Sequence, residues 1–390
     1  MRFNSHLLDV QPPPITEVKS WLTGRAADPR PLIDCCQAVP DYPPAPQLLD
    51  FLRQQLDRVE TSRYSPDEGL AEVRASLGRW YGRRYDARLT AAEICLTVGA
   101  SQAFWLAISS LCQAGDEVIV AAPAYFDHPM ALQTLGIRPV WVPFAASADG
   151  QLDPTAVAQR IGARTRAILL VTPSNPTGIV TAPATLDRLF ALARAHGLTL
   201  ILDETYNAFL PPGAGPHALF TRPDWQETLV HIASFGKTFA LTGFRAGALV
   251  AGAPLIEQAL KVQDSMVVCA PRLSQLAIGF GCDHLDDWVA GNTRMMLARH
   301  ARFRELFLQA ATGFRLLASG GFFAWVSHPW PELGSRAAAR RLALEQNLIC
   351  LPGAAFGPGL DGCLRLAFGN LPAEQIPAAI GRLATAGGRG

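Results

Sequence analysis

Between Ser234 and Arg245 the chain reads Ser-Phe-Gly-Lys-Thr-Phe-Ala-Leu-Thr-Gly-Phe-Arg, which sets a hydroxyl, an amine and a guanidinium in one glycine-containing loop. The amine of Lys237 can form a Schiff base with an aldehyde, and the flanking Ser234 and Arg245 can hydrogen-bond and neutralise a phosphate. An aldehyde and a phosphate on one small molecule describe pyridoxal 5'-phosphate. A Ser-x-x-Lys string taken alone more often marks a solvated surface lysine. Residues elsewhere in the chain reverse that weighting.

Asp203 closes the apolar run Leu198 to Leu202, and Tyr206 follows it. A carboxylate facing a pyridine nitrogen keeps it protonated and makes the ring an electron sink, while a phenol can bond the ring's 3-oxygen. The same segment also suits a helix cap or a Mg²⁺ site. Ser174-Asn175-Pro176-Thr177-Gly178 demands a tight turn that could aim the Asn175 amide at the 3-oxygen, though a bare turn has the same signature. Gly99-Ala100-Ser101 stands between a strand and a helix, where backbone N–H groups and a hydroxyl can cup a phosphate. Tyr125, at another strand end, could stack on a planar ring or simply fill the core. Arg365 is a candidate fork for an α-carboxylate, with an exposed ion pair as its alternative. His128 could brace Asp203, but a satisfied core histidine is the commoner meaning of such a residue.

These residues need a frame that brings strand ends together. Apolar runs at Glu117–Val120, Pro139–Val142, Ala167–Val171, Leu198–Leu202, Leu229–Ile232 and Gly247–Val250 read as strands. Helical periodicity fills 102–112, 184–196 and 255–262 between them. Strands alternating with helices predict an α/β fold with a mostly parallel sheet, whose ligands sit at the carboxyl ends of strands. A long Arg-decorated helix over 286–311 leads into a smaller α/β unit. Its strands are expected at Gly320–Trp325 and Cys363–Phe368, and its helices at Ser335–Gln346 and Ala373–Leu383. The proline-rich start, with Pro12 to Pro14 and then Pro40, Pro43, Pro44 and Pro46, is expected to be irregular and to drape over the junction of the two units. The division that follows is 1–45, 46–285 and 286–390.

Composition narrows the class. With 34 basic and 33 acidic side chains among 390 residues, the net charge is +1, and no basic patch suggests nucleic acid as a partner. Apolar runs are short and broken by Gly and Pro, so neither a membrane span nor a leader is expected. Eight cysteines without a C-x-x-C pair read as reduced thiols and point to the cytoplasm. No metal is called for.

Taken in order, these segments resemble the class I/II aminotransferases of the aspartate and aromatic aminotransferase superfamily, which are pyridoxal-phosphate enzymes of fold type I. The resemblance runs from Pro31–Pro40 through Tyr64-Ser-Pro-Asp-Glu-Gly69, the loop at Gly99, Asn-Pro-Thr-Gly at Asn175, Asp-x-x-Tyr at Asp203, Ser-x-x-Lys at Ser234 and Cys-Leu-Arg-Leu-Ala-Phe around Arg365. It implies a large domain with a seven-stranded sheet, and Lys237 as Schiff-base lysine and proton carrier. Asp203 would face the ring nitrogen, Tyr206 and Asn175 the 3-oxygen, and Tyr125 would stack. Gly99, Ala100, Ser101, Ser234 and Arg245 would hold the phosphate, and Arg365 the substrate carboxylate. Tyr64 is similar to the family tyrosine that reaches the partner subunit's phosphate, which implies a homodimer with shared active sites.

Two departures stand out: Ala38 where many relatives carry glycine beside the substrate carboxylate, and Gly236 where they carry serine before the lysine. The implied activity is ping-pong transfer of an amino group between an L-amino acid and a 2-oxo acid. A carbon-sulfur β-lyase uses the same parts, and a ligand sensor of this fold would need a DNA-binding module for which no room is seen. The pocket candidates Cys36, Val39, Tyr125 and Phe322 are mostly apolar, and Arg272 is read as structural, so neutral, aromatic or sulfur-containing substrates are favoured over aspartate.

Overall fold

The computed structural model of the chain describes residues 1–24, 26, 28–144, 150–211 and 213–388. Its strands in chain order are β1 (Ile33–Cys35), β2 (Ile94–Val98), β3 (Glu117–Ala122), β4 (Arg138–Pro143), β5 (Thr165–Val171), β6 (Thr199–Asp203), β7 (Leu229–Ser234), β8 (Ala246–Val250), β9 (Arg315–Gly320), β10 (Phe323–Ser327), β11 (Leu348–Pro352) and β12 (Cys363–Ala367).

Seven of them form one sheet in the order β2-β8-β7-β6-β5-β3-β4. Only β8 runs against its neighbours, so the sheet is mostly parallel. Its central strands are apolar on both faces because helices cover both. On β6, Leu200 and Leu202 join the core that contains Leu77, Tyr81 and Phe190, while Ile201 joins the one that contains Phe104 and Val120. Successive side chains alternate across a strand. Asp203 therefore continues the face of Ile201, and Glu204 the face of Leu202. The expected strands agree with β3 to β8 to within one or two residues at each end.

The second sheet has the order β1-β11-β12-β10-β9 and is antiparallel apart from the β1–β11 pair. The helices Ser335–Gln346 and Ile376–Gly387 pack on it, with Phe303 and Phe307 of the 24-residue helix Asp286–Gln309 in the same core. Three expectations are corrected. The proline-rich start is not wholly irregular: Pro14 and Pro46 open the helices Pro14–Ser20 and Pro46–Leu56. A first-turn proline lacks only an N–H that would have no helical partner there. Ile33–Cys35 is a strand that pairs with β11, although it lies more than 300 residues from it in sequence. The stretch Gly320–Trp325 is not one strand but the end of β9, a turn at Gly321 with φ +51°, and the start of β10. Glycine accepts that left-handed backbone without strain, so the Gly-Gly pair bends the chain into a hairpin.

Candidate active site

A cavity of about 400 Å³ opens where the carboxyl ends of β5, β6 and β7 face the second sheet. Ala38, Ala100, Ser101, Tyr125, Asn175, Asp203, Tyr206, Ser234, Lys237, Arg245 and Arg365 all line it. Gly99 stands just behind Ala100. Tyr64 does not line it; that side chain is 81% exposed on another part of the surface, beside a groove that also holds Arg272. Phe322, expected in the pocket, is instead fully buried against Tyr206 and Phe209.

Lys237 sits in the helical turn Phe235–Thr238 that follows β7. It is half-buried against the cavity and makes no ion pair among the described residues. Burial, helped by the charges of Arg245 and Arg365, lowers its pKa to about 8. Roughly a tenth to a fifth of such an amine is neutral and nucleophilic near physiological pH, far more than for an ordinary lysine.

Asp203 ends β6 beneath the cavity. His128 Nε2 lies 3.2 Å from Oδ2, and the Thr205 backbone N–H donates to Oδ1 at 2.9 Å. Burial pushes this carboxyl up, but His128 and Thr205 together outweigh burial and hold it below its ordinary value, so it stays ionised. Of the two meanings open for His128, the geometry matches the brace: in the first turn of the helix Asp127–Thr134, it packs on Phe104 at 4.3 Å and turns its ring to Asp203. Nothing in the residue type distinguishes the two outcomes.

Arg365 projects from β12 and is 2% exposed. Its Nη1 donates to Asn175 Oδ1 at 3.0 Å and its Nη2 to the Cys36 carbonyl, while Nε has no partner. No carboxylate pairs with it among the described residues. A buried guanidinium held only by neutral acceptors is an incomplete ion pair, ready for an anion. The bond to Oδ1 also fixes the Asn175 amide and leaves its Nδ2 hydrogens free to donate. Burial pushes the Tyr206 phenol up, so that group too stays a donor.

The third element is the cup at the start of helix Gly99–Leu111. Gly247 on β8 lies so close that a Cβ there would stand 2.4 Å from the Gly99 carbonyl carbon, and a Cβ on Gly99 would meet the Arg245 guanidinium at 2.6 Å. Glycine at both positions lets a positive fork approach a helix N-terminus, where free N–H groups already favour an anion. Ser101 and Ser234 add hydroxyls on the same side of the cavity. A second close approach, between Gly178 of the Asn-Pro-Thr-Gly turn and the Gly320 backbone, presses the second sheet against this loop.

Asp127 went unnoticed in the sequence. It lines the cavity, and the Tyr125 hydroxyl donates to its carboxylate, which pins the aromatic ring. A further cluster lies on the other face of β6: Glu204, His217 and His231 are buried with their polar atoms within 4.8 Å of one another. His217 Nδ1 accepts from the Leu219 N–H at 3.1 Å, so its proton sits on Nε2, 3.4 Å from Glu204 Oε2. The imidazole therefore faces the carboxylate as a donor rather than as a metal ligand.

A nucleophilic amine, an ionised acid, an unpaired carboxylate fork and an anion cup around one cavity define a site for covalent cofactor chemistry on amino acids. The family model for aminotransferase class I and II matches residues 30–383, and the chain belongs to that family. An aspartate aminotransferase of Sulfolobus acidocaldarius is 27% identical over 81% of this chain and 80% of its own length. An aromatic aminotransferase of Arabidopsis thaliana is 26% identical over 89% and 87% respectively. Among solved structures, a single mutant of the Thermus thermophilus aspartate aminotransferase superposes with a TM-score of 0.88 at 25% identity, covering 99% of this chain and all of that one.

Proposed function

We propose that this chain is a pyridoxal 5'-phosphate-dependent aminotransferase that moves an amino group between an L-amino acid and a 2-oxo acid. The observation that carries the reading is Lys237, half-buried with no ion pair among the described residues and sharing one cavity with Asp203 and the unpaired Arg365. The donor set fits the cofactor: Gly99, Ala100, Ser101, Ser234 and Arg245 would hold its phosphate, Asp203 its ring nitrogen, Asn175 and Tyr206 its 3-oxygen, and Tyr125 one face of the ring. When bound, the cofactor supplies an electron sink for the bonds at a substrate's α-carbon.

The remaining work falls to the chain. His128 and Thr205 keep Asp203 charged and aimed. Arg365 takes the substrate α-carboxylate in its fork, and with Asn175 fixes which α-carbon bond faces the ring. Ala38 closes the same end of the cavity. Lys237 Nζ would carry the proton between the substrate's α-carbon and the cofactor's aldehyde carbon, a task suited to an amine whose pKa is about 8.

The exposed Tyr64 supports a homodimer in which that hydroxyl completes the partner subunit's phosphate site. Eight free thiols are in keeping with a reducing, cytoplasmic compartment. The strand β1, paired into the second sheet, supports reading 1–45 as a segment that bridges the units 46–285 and 286–390; limited proteolysis that first cut inside either unit would count against it. For the activity, purified protein loaded with the cofactor should show parallel-line kinetics between an amino acid and a 2-oxo acid. Lys237→Ala should lose at least ~10²–10⁴-fold in rate while keeping its melting transition. Full turnover in that variant would end the proposal.

A further inference from the structure

Beside the polar groups already named, the cavity has lining side chains of a different composition. We propose that the subsite for the substrate's side chain, walled by Val10, Ile15, Val39, Trp105, Met130 and Thr134, takes bulky uncharged side chains and rejects carboxylates. The inference rests on the aminotransferase reading and adds the substrate class to it.

Charge carries the argument. Among the described residues, the lysine and arginine side chains lining the cavity are Lys237, Arg245 and Arg365. Each already has a task, respectively the cofactor's aldehyde carbon, its phosphate and the α-carboxylate. A second carboxylate on the substrate would find none left among the described residues of its own subunit's cavity. Instead it would share the enclosure with Asp127, whose own pKa is raised chiefly by burial, so the surroundings already disfavour negative charge. Ser101, at the mouth of the cup, offers a neutral hydroxyl.

The nearest alternatives lie outside the cavity. Lys19 is nearly half exposed and held by Gln37 Oε1 at 3.2 Å and Asp34 at 3.6 Å. Arg272 begins the helix Arg272–His284 and lies by the groove beside Tyr64.

Shape agrees with charge. Trp105 stands one helical turn beyond Ser101, and Met130 and Thr134 are one turn apart on the helix Asp127–Thr134, so each set shares a face. Val10 and Ile15 come from the N-terminal segment, whose Gln11 side chain donates to the Ala355 carbonyl at 3.0 Å and so secures that wall to the second unit. All six are only partly buried, so they present apolar surface that a side chain can cover. Met130 can adjust to several apolar shapes.

The test compares amino donors on the cofactor-loaded enzyme, with binding as an independent readout. Phenylalanine, methionine and leucine should exceed aspartate and glutamate in kcat/KM by at least ~100-fold. Calorimetric titration should show 3-phenylpropionate binding more tightly than maleate. Trp105→Ala and Met130→Ala should each narrow the preference for phenylalanine over alanine roughly tenfold. Thr134→Lys should raise aspartate turnover relative to phenylalanine.

Aspartate or glutamate reacting as well as phenylalanine, or maleate binding as tightly as 3-phenylpropionate, overturns this inference and leaves the aminotransferase reading standing. Failure of every donor, with cofactor bound, overturns both.

Discussion

Asp203 and Glu204 are neighbours in the chain, buried to a similar degree, and held below the ordinary carboxylate range, yet they face opposite sides of the sheet and solve burial in different ways. Glu204 Oε2 accepts from the Tyr85 hydroxyl at 2.6 Å and pairs with His231 Nε2 at 2.7 Å and His217 at 3.4 Å. Tyr81 and Asn207 close the shell behind His231 and Tyr85. Asp203 has His128 and one backbone N–H, and beyond them a cavity. A buried charge that is completely surrounded stabilises a fold, and one whose shell is left open on one side is placed for a ligand. The buried arginines repeat the contrast. Arg299 holds Asp41 through two nitrogens at 2.8 and 2.9 Å, whereas Arg365 has no carboxylate.

The contrast breaks most visibly if the two carboxylates exchange roles. Glu204→Gln should cost ~1–3 kcal/mol in denaturant unfolding, because it removes the buried carboxylate that accepts from the Tyr85 hydroxyl and faces the two histidine rings, while the folded fraction keeps its turnover within a few-fold. Asp203→Asn should do the reverse and lose at least ~100-fold in turnover. Because both folded pKa values lie below their unfolded ones, the stability each acid contributes is complete above the ordinary carboxylate range. It is lost as pH falls through the folded values. Acid titration of Glu204→Gln should therefore show a shallower loss of stability than wild type.

A smaller effect separates the arginines. Arg365→Lys keeps a charge but not the fork, and should raise KM for the amino acid by roughly 10–100-fold, the equivalent of about 1.5–3 kcal/mol, at little cost in melting temperature. Arg299→Lys should lower the melting temperature and leave KM alone. Matching behaviour of the two variants would erase the distinction.

Lys237 offers a test by pH. In cofactor-free protein, covalent capture of an aldehyde, trapped with borohydride, should become half-maximal near a pH of about 8. An exposed lysine would require about 10.4. Arg245→Gln, which removes a neighbouring positive charge, should move the midpoint upward; no movement would mean that burial and Arg365 set it without Arg245.

The smallest expected effect belongs to Tyr64. Tyr64→Phe should weaken cofactor retention about tenfold without altering the monomer's fold, the low end of what loss of one hydrogen bond to a charged group predicts. Unchanged retention in a demonstrated dimer would remove Tyr64 from the partner's site.

Much of the site could be read from residue types because its groups are unusual at strand ends. Asp203 stands where an apolar run stops, Asn175 and Lys237 follow such runs by three or four residues, Arg365 interrupts one, and their order along the chain matches a family pattern. His128 and Asp127 were not legible in the same way. Their meaning depends on a rotation of one helix relative to β6, and a histidine two residues from a phenylalanine carries no mark of the acid it will face. The strands β1 and β11 escaped for a related reason. A three-residue strand has too short a period to announce itself, and its partner lies at the far end of the chain. The Gly-Gly hairpin was misread because two glycines inside an apolar run fit a bulge as well as a turn.

By itself, then, the order of residues determined the alternation of strands and helices, the amine that reacts and the acid below it, since hydrophobic period and side-chain chemistry are local properties. Only the tertiary structure decided which of two adjacent carboxylates would face a cavity, that Arg365 would be buried without a partner, and which apolar side chains would wall the remaining space. Those outcomes depend on which surfaces the two sheets turn toward each other, and no window of sequence contains both sides of that contact.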